Sequence, residues 1–289
     1  MQSAQRSGRR RPHPVPHGLP QWSARYTRSL VEAARSWQRI ADVERWCFFV
    51  GYPRSGHTLV ASLLDAHPEI VISNELDAFR YLDHGFGRRQ LYGLVLWHER
   101  TYGYGKEGFD YSVPGGHQGA TSRLRVIGDK RGTATGFRIA GDVTLIDRVR
   151  RVTGVPIRVL QHSRNPFDVI ATSATMEAHG GDPRLPEAIR WFGMWSRNLG
   201  VVRAHLRPEE QLETRHERLV AATGDELLRI TDFLGVAADQ RYLERCSASV
   251  WPSPRRSRIS VTWTRAQIQE VDAIIQRHPW LSGYSFDTE

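Results

Sequence analysis

The run Phe48-Phe49-Val50-Gly51-Tyr52-Pro53-Arg54-Ser55-Gly56-His57-Thr58-Leu59 constrains this chain more than any other stretch. Its apolar half ends in a glycine, a short loop follows, and a second glycine opens the run Leu59-Val60-Ala61-Ser62-Leu63-Leu64. That pattern predicts a buried strand, a tight loop and the first turns of a helix. A helix N-terminus presents unpaired N–H groups and a partial positive charge, so such a loop is built to cradle an anion. The spacing Gly51-x4-Gly56 followed by His57-Thr58 is a Walker A frame in which histidine stands in the place of the lysine that would reach β/γ-phosphates.

The rest of the chain alternates strands and helices. Ile70–Ile72, Leu124–Lys130, Ile157–His162 and Leu212–Arg215 read as further strands. Helices are expected over Ser23–Val43, Arg138–Arg151, Asp168–Thr175, Glu187–Leu206, Asp225–Leu234, Asp239–Cys246 and Gln267–His278. The expected fold class is α/β: a P-loop NTPase-like three-layer fold with a central, mainly parallel sheet. Ligands in such sheets bind at the carboxyl ends of strands. The loops at 51–58, 73–75, 128–131 and 163–166 all follow strands and are expected to meet there. Residues 1–22 read as a disordered basic tail and 23–289 as one domain. Within it, 84–121 is rich in Gly, Tyr and His, and reads as a substrate-side insertion of loops and short helices.

Charge and cysteine content narrow the function classes. The net charge is +9 over 289 residues. Residues 1–45 hold nine arginines against Glu32, Asp42 and Glu44, which leaves only +3 for the remainder. No nucleic-acid partner is expected from so mild a body, although it suits a small anionic ligand. No apolar run is long enough for a membrane span, and the arginine-rich N-terminus lacks the apolar segment of a secretory signal, so a cytoplasmic protein is expected. Cys47 and Cys246 read as buried thiols rather than a disulfide framework.

A nucleoside triphosphatase needs magnesium and a lysine on the β/γ-phosphates. His57 supplies no permanent charge, and Asp129 after Val126-Ile127-Gly128 matches a magnesium-holding acid only loosely. A donor with one phosphate at this position, such as a 5′-phosphosulfate, needs neither.

The segment Pro53-Arg54-Ser55-Gly56-His57-Thr58 resembles the 5′-phosphosulfate-binding loop of PAPS-dependent sulfotransferases, whose usual form is P-[KR]-S-G-T-T. Ser163-Arg164-Asn165-Pro166-Phe167-Asp168-Val169-Ile170-Ala171-Thr172-Ser173 resembles their 3′-phosphate motif. In that motif an arginine, and a serine eight residues later, hold the 3′-phosphate. Here the eighth residue after Arg164 is Thr172, with Ser173 next. The run Leu63–Glu69 is similar to the segment after this loop in tyrosylprotein and carbohydrate sulfotransferases. Gly128-Asp129-Lys130 and the 215–236 region, with His216-Glu217-Arg218-Leu219-Val220, extend the likeness, patchily, over about residues 46–285. The replacement of threonine by His57 is the main departure.

The resemblance implies a transfer of a sulfuryl group from PAPS to a hydroxyl acceptor, releasing PAP, with no metal. It implies Glu75 as general base and Lys130 at the bridging oxygen of the leaving group. Arg54, Ser55, Gly56, His57 and Thr58 then bind the 5′ side, and Arg164 with Thr172 or Ser173 the 3′-phosphate. Arg255, Arg256 and Arg258 form a late basic loop that such a chain would close over the nucleotide, or a solvated charge run. Carbohydrate, lipid, natural-product and peptide hydroxyls all remain open as acceptors, and the oligomeric state is not legible. The rival readings are a P-loop kinase using ATP and magnesium, and a non-catalytic nucleotide-binding protein.

Overall fold

A computed structural model describes residues 19–104 and 111–288. Most of the expected basic tail, residues 1–18, lies outside the described residues, and so does Gly105. Five strands form one sheet in the order β2-β3-β1-β4-β5: β1 (Arg45–Gly51), β2 (Ile70–Asn74), β3 (Val126–Lys130), β4 (Ile157–Ser163) and β5 (Gln211–Arg215). Every pairing is parallel. Twelve α-helices are described: α1 (Leu19–Ser36), α2 (His57–Asp65), α3 (Phe79–Leu82), α4 (Arg88–Tyr102), α5 (Gly132–Gly141), α6 (Thr144–Thr153), α7 (Pro166–Glu177), α8 (Leu185–His205), α9 (His216–Ala221), α10 (Thr223–Leu234), α11 (Gln240–Ala248) and α12 (Arg265–Arg277).

The period-two alternation of β1 divides the core. Trp46, Phe48 and Val50 join one buried cluster with residues of α4–α8 and α12. Cys47 and Phe49 join another with residues of α2, α9, α10 and α11. Both faces of the central strand are therefore dry, as a parallel sheet wrapped by crossover helices requires. The two cysteines are free and buried in the second cluster.

Three local expectations are corrected. Helix α1 starts at Leu19, so residues 19–22 are helical rather than tail, and it stops at Ser36; the chain then turns so that Ile40 and Val43 enter the core. The 84–121 stretch is not all loops and short helices. It holds the 15-residue α4, whose Leu91, Tyr92, Leu94 and Val95 are fully buried. The single helix expected over Arg138–Arg151 is two, because the Asp142 carboxylate accepts the Thr144 amide at 3.0 Å and starts a new helix.

Register places the chemistry. Gly51 of β1 pairs with His162 of β4, and Asn74 of β2 pairs with Lys130 of β3. The loops leaving β1, β2, β3 and β4 thus emerge on one edge of the sheet. Among the described residues no helix is long and apolar enough to cross a membrane.

Candidate active site

The loop after β1 turns by means of three left-handed residues. Gly51 has φ 139°, Arg54 φ 62° and Gly56 φ 100°. Glycine is required at two of these for space as well as for backbone. A Cβ on Gly51 would meet the His162 carbonyl oxygen at 2.8 Å, and one on Gly56 would meet His216 Nδ1 at 2.6 Å. Gly56 caps α2 with no side-chain bond to the helix end, which leaves the first amides of α2 at the loop.

The His57 side chain lies at the cavity edge and packs back onto the end of β1. Its ring stands between two glycines: a Cβ on Gly51 would lie 3.1 Å from Nε2, and one on Gly132 would lie 2.6 Å from Cε1. Nε2 sits 3.3 Å from the Val50 carbonyl oxygen, which only accepts, so Nε2 carries the proton. Burial, with Lys130 nearby, holds its pKa down at about 3. His57 is a neutral wedge that locks the end of β1 against the start of α5. His162 and His216 complete a collar around Gly56. Burial pulls both below the usual histidine range, His216 to about 4 with Arg164 contributing.

Glu75 and Lys130 face each other across the β2–β3 register. Lys130, only 3% exposed, donates to Glu75 Oε1 at 3.0 Å and to Thr58 Oγ1 at 3.1 Å. One ammonium thus joins the anion-binding loop to the carboxylate. Glu75 itself is left-handed, with φ 67°, and so is Asp77, with φ 65°. A non-glycine residue in this region costs about 1–3 kcal/mol. The Asp129 carboxylate offsets that cost. It accepts the Leu76 amide at 3.0 Å, the Ala78 amide at 2.9 Å and the Ser73 hydroxyl at 2.8 Å. Asp129 is therefore committed to this loop, and its match to a magnesium-holding acid is not supported by where its oxygens go.

Arg164 follows β4 and reaches back over the loop. It donates to the Arg54 carbonyl oxygen at 3.3 Å and to the Arg255 carbonyl oxygen. Its Nε and the Thr172 hydroxyl are buried with no hydrogen-bond partner among the described residues. Asn165 caps α7 by accepting the Phe167 amide at 3.0 Å, and Pro166 takes the first helical position, so the helix carrying Thr172 is fixed at its start.

These groups share one cavity of about 1280 Å³. Arg54, Gly56, His57 and Thr58 line it from the first loop, Glu75 and Lys130 from the strand ends, and Arg164 and Thr172 from the β4–α7 unit. Ser55 and Ser173 do not line it. The Ser55 hydroxyl turns inward to the Tyr52 carbonyl oxygen at 2.8 Å. Of the two candidate residues Thr172 lines the cavity and Ser173 does not, while the hydroxyls of both are buried with no hydrogen-bond partner among the described residues. Arg255 lines the cavity, whereas Arg258 is 2% exposed and ion-paired with Asp168 at 2.6 Å.

Three further groups line the cavity, none named residue by residue beforehand except Arg255: one falls in the 128–131 loop, one in the 84–121 segment expected on the substrate side, and one ends in the late basic loop. Arg131 lines the cavity and donates to the Glu75 carbonyl oxygen at 3.2 Å; its position directly after Lys130 at a strand end was the available signal. Tyr111–Val113 form one wall, held where Ser62 Oγ donates to the Tyr111 carbonyl oxygen. Ser249–Arg255 form another, with Trp251 85% exposed at its rim.

No protein-family profile and no curated protein sequence matches this chain. Solved structures do. The sulfotransferase domain of the Synechococcus PCC 7002 olefin synthase superposes with a TM-score of 0.53 at 18% identity, covering 82% of this chain and 94% of that one. The sulfotransferase domain from the curacin biosynthetic pathway gives 0.52 at 16% identity, covering 82% and 98%. A sulfotransferase from Mycobacterium avium gives 0.51 at 10% identity, covering 91% and 83%. The chain has the fold of these sulfotransferases.

Proposed function

We propose that this chain is a PAPS-dependent sulfotransferase that moves a sulfuryl group to a hydroxyl acceptor and releases PAP. One observation carries the reading. Two anion-binding segments separated by 110 residues, Arg54–Thr58 and Arg164–Thr172, open into the same cavity as the Glu75–Lys130 pair. The residues suit a nucleotide with phosphates at both ends. The left-handed loop and the α2 amides suit the 5′ side, and the orphaned Arg164 Nε and Thr172 Oγ1 suit a 3′-phosphate. The bound donor would supply the activated sulfuryl group.

In this reading Glu75 accepts the proton of the acceptor hydroxyl. Lys130 stabilises charge that develops on the leaving oxygen, from a buried position where such a charge acts strongly. Thr58 fixes that ammonium against the loop. The inward turn of Ser55 leaves its backbone N–H, rather than its hydroxyl, as its contribution. His57 braces the loop. The kinase alternative loses support because Asp129 is engaged with the 76–78 amides.

A thermal-shift comparison of PAP, AMP and ATP with magnesium tests the reading. A ligand that binds only the folded form raises the melting temperature, by an amount that grows with the logarithm of its concentration over its Kd. PAP is expected to stabilise well beyond AMP, without metal. Equal responses to PAP and AMP would remove the 3′-phosphate role of Arg164 and Thr172, and a response to ATP with magnesium alone would favour the kinase.

A further inference from the structure

Glu75 enters the cavity on backbone that resists its own conformation. Glu75 and Asp77 are both left-handed and flank Leu76, so two of the three residues that leave β2 take an unfavourable conformation. Such a conformation persists only where the surroundings over-determine it, and three ties do so here. Asp129 accepts from Leu76, Ala78 and Ser73. Arg138 clamps Asp77 with two bonds at 2.9 and 2.6 Å. Arg131 holds the Glu75 carbonyl oxygen, while the Glu75 amide donates to the Lys130 carbonyl oxygen at 3.1 Å.

Asp129 is the centre of this arrangement. It is 2% exposed and does not line the cavity. Asp129 and Lys130 are consecutive in β3, and strand alternation sends their side chains to opposite sides. Lys130 faces the cavity, and Asp129 faces the loop that carries Glu75. A buried carboxylate is costly, yet all of its polar contacts serve three residues around Glu75. We propose that Asp129, backed by the Arg138–Asp77 pair, is a positioning residue for the reaction. It sets the left-handed conformation of Glu75, and through it the reach of the Glu75 carboxylate to Lys130 and to an acceptor hydroxyl. The proposal rests on the reading of Glu75 as the base.

Asparagine at 129 offers one acceptor oxygen where the carboxylate offers two. Its NH2 would face a backbone N–H, donor against donor, and the loop would relax from the left-handed path. Arg138→Gln loosens the same loop from a half-buried position outside the sheet, so it serves if Asp129→Asn folds poorly.

The test uses PAPS with water as the acceptor, which needs no identified substrate. The bond from sulfur to the bridging oxygen breaks, with its electron pair leaving on the phosphate of PAP. A bond forms from water oxygen to sulfur, and the water proton passes to Glu75, giving PAP and sulfate. PAP release is measured for wild type, Asp129→Asn, Arg138→Gln, Glu75→Gln and the doubles with Glu75→Gln. A displaced base costs about 10²-fold, so Asp129→Asn is expected to slow release by about that factor, and Arg138→Gln by less. The melting shift given by PAP should stay within about twofold in apparent affinity, because the phosphate segments are untouched. In the Glu75→Gln background neither change should slow release further by more than about twofold, since both act through Glu75.

Additive losses would overturn the positioning role. So would a crystal structure of Asp129→Asn in which Glu75 is still left-handed and still paired with Lys130. A wild-type rate from Asp129→Asn overturns that role alone, whereas a wild-type rate from Glu75→Gln overturns the assignment of the base and this proposal with it.

Discussion

The Arg164 guanidinium donates to the backbone carbonyl oxygen of Arg54 at 3.3 Å, across 110 residues of sequence. The first strand–loop–helix unit and the β4–α7 unit are therefore joined at the point where each ends its strand. A second bond from Arg164, to the Arg255 carbonyl oxygen, ties in the late basic loop. Arg164→Ala should weaken PAP by about 10–100-fold, as expected for a lost charge-assisted contact, and leave AMP within a few-fold. Melting-temperature titrations with the two nucleotides check this. An equal loss for AMP would mean that Arg164 serves only to hold the Arg54 loop in shape.

Glu75→Gln and Lys130→Ala should each cut turnover by about 10²–10⁴-fold, the range of one acid–base or charge-stabilising group. PAP binding should change little for Glu75→Gln. It should weaken modestly for Lys130→Ala, because Thr58 loses its bond to the ammonium. Turnover is read as PAP release, and binding as a melting shift. Unchanged turnover in both variants would leave the cavity a binding site and nothing more.

The histidine collar and Asp129 respond to acid in opposite directions. His57 and His216 have folded pKa values of about 3 and about 4, below the unfolded value of 6.5. The unfolded chain therefore binds their protons first, and the stability they contribute is lost as pH falls from 6.5 towards those values. The shift of His216 alone corresponds to about 3 kcal/mol. Asp129 has a folded pKa of about 6, raised by burial from 3.8 and opposed by the Ala78 and Ser73 bonds, with Asp77 raising it further. Its contribution to stability rises as pH falls through that window. The histidines outweigh it, so urea denaturation should show net stability falling below pH 6.5.

Turnover should show a separate acid limb centred near 6. A protonated Asp129 gives up one acceptor oxygen to the 76–78 amides and loosens Glu75. Other charged and polar groups also surround it: Ser73 on β2, Asp77 with Arg138, Tyr81 of α3, Tyr104, and Glu75 with Lys130. Replacing His57 with threonine should flatten the stability curve at some cost in packing, and should leave the limb of turnover near 6 in place.

The Arg258–Asp168 pair is buried at both ends, with side chains 3% and 4% exposed, and the Arg258 amide donates to the same carboxylate at 2.8 Å. Breaking such a pair strands a charge, so Arg258→Met should destabilise by about 3–5 kcal/mol in chemical denaturation. The double variant Arg258→Met with Asp168→Leu should recover most of that loss. A loss that persists in the double variant would mean that packing, rather than the stranded carboxylate, is responsible.

The loop at 51–58 was legible because glycine spacing, apolar periodicity and a helix start coincide in twelve residues. The parallel sheet was legible because its strands are short apolar runs between helices. The wedge role of His57 was not, since the slot it fills is made by Gly51 and by Gly132, which is 75 residues further along. Thr172 and Ser173 were indistinguishable because adjacent helical residues differ by about 100° in direction, and only packing decides which one faces a cavity. That the 73–75 and 128–131 loops meet was legible from their places after strands, and the roles of Glu75 and Lys130 came from family resemblance; spacing along the chain does not encode the β2–β3 register that pairs them. Helix α4 was hidden because its apolar residues are interrupted by Gly93, His98 and Glu99 in a stretch dominated by turn-forming residues.

The pairing of Asn74 with Lys130 in adjacent strands has a consequence for how this protein can change. The backbones that carry the two groups proposed for chemistry lie about one interstrand spacing apart, ~4.8 Å, and their side chains meet at 3.0 Å. That separation does not depend on the length of the chain between them. That intervening segment supplies Tyr111–Val113 to the cavity wall. The wall can be recut, lengthened or exchanged while the reacting groups keep their distance, so new acceptors can be explored by remodelling a segment that the sheet insulates from the chemistry.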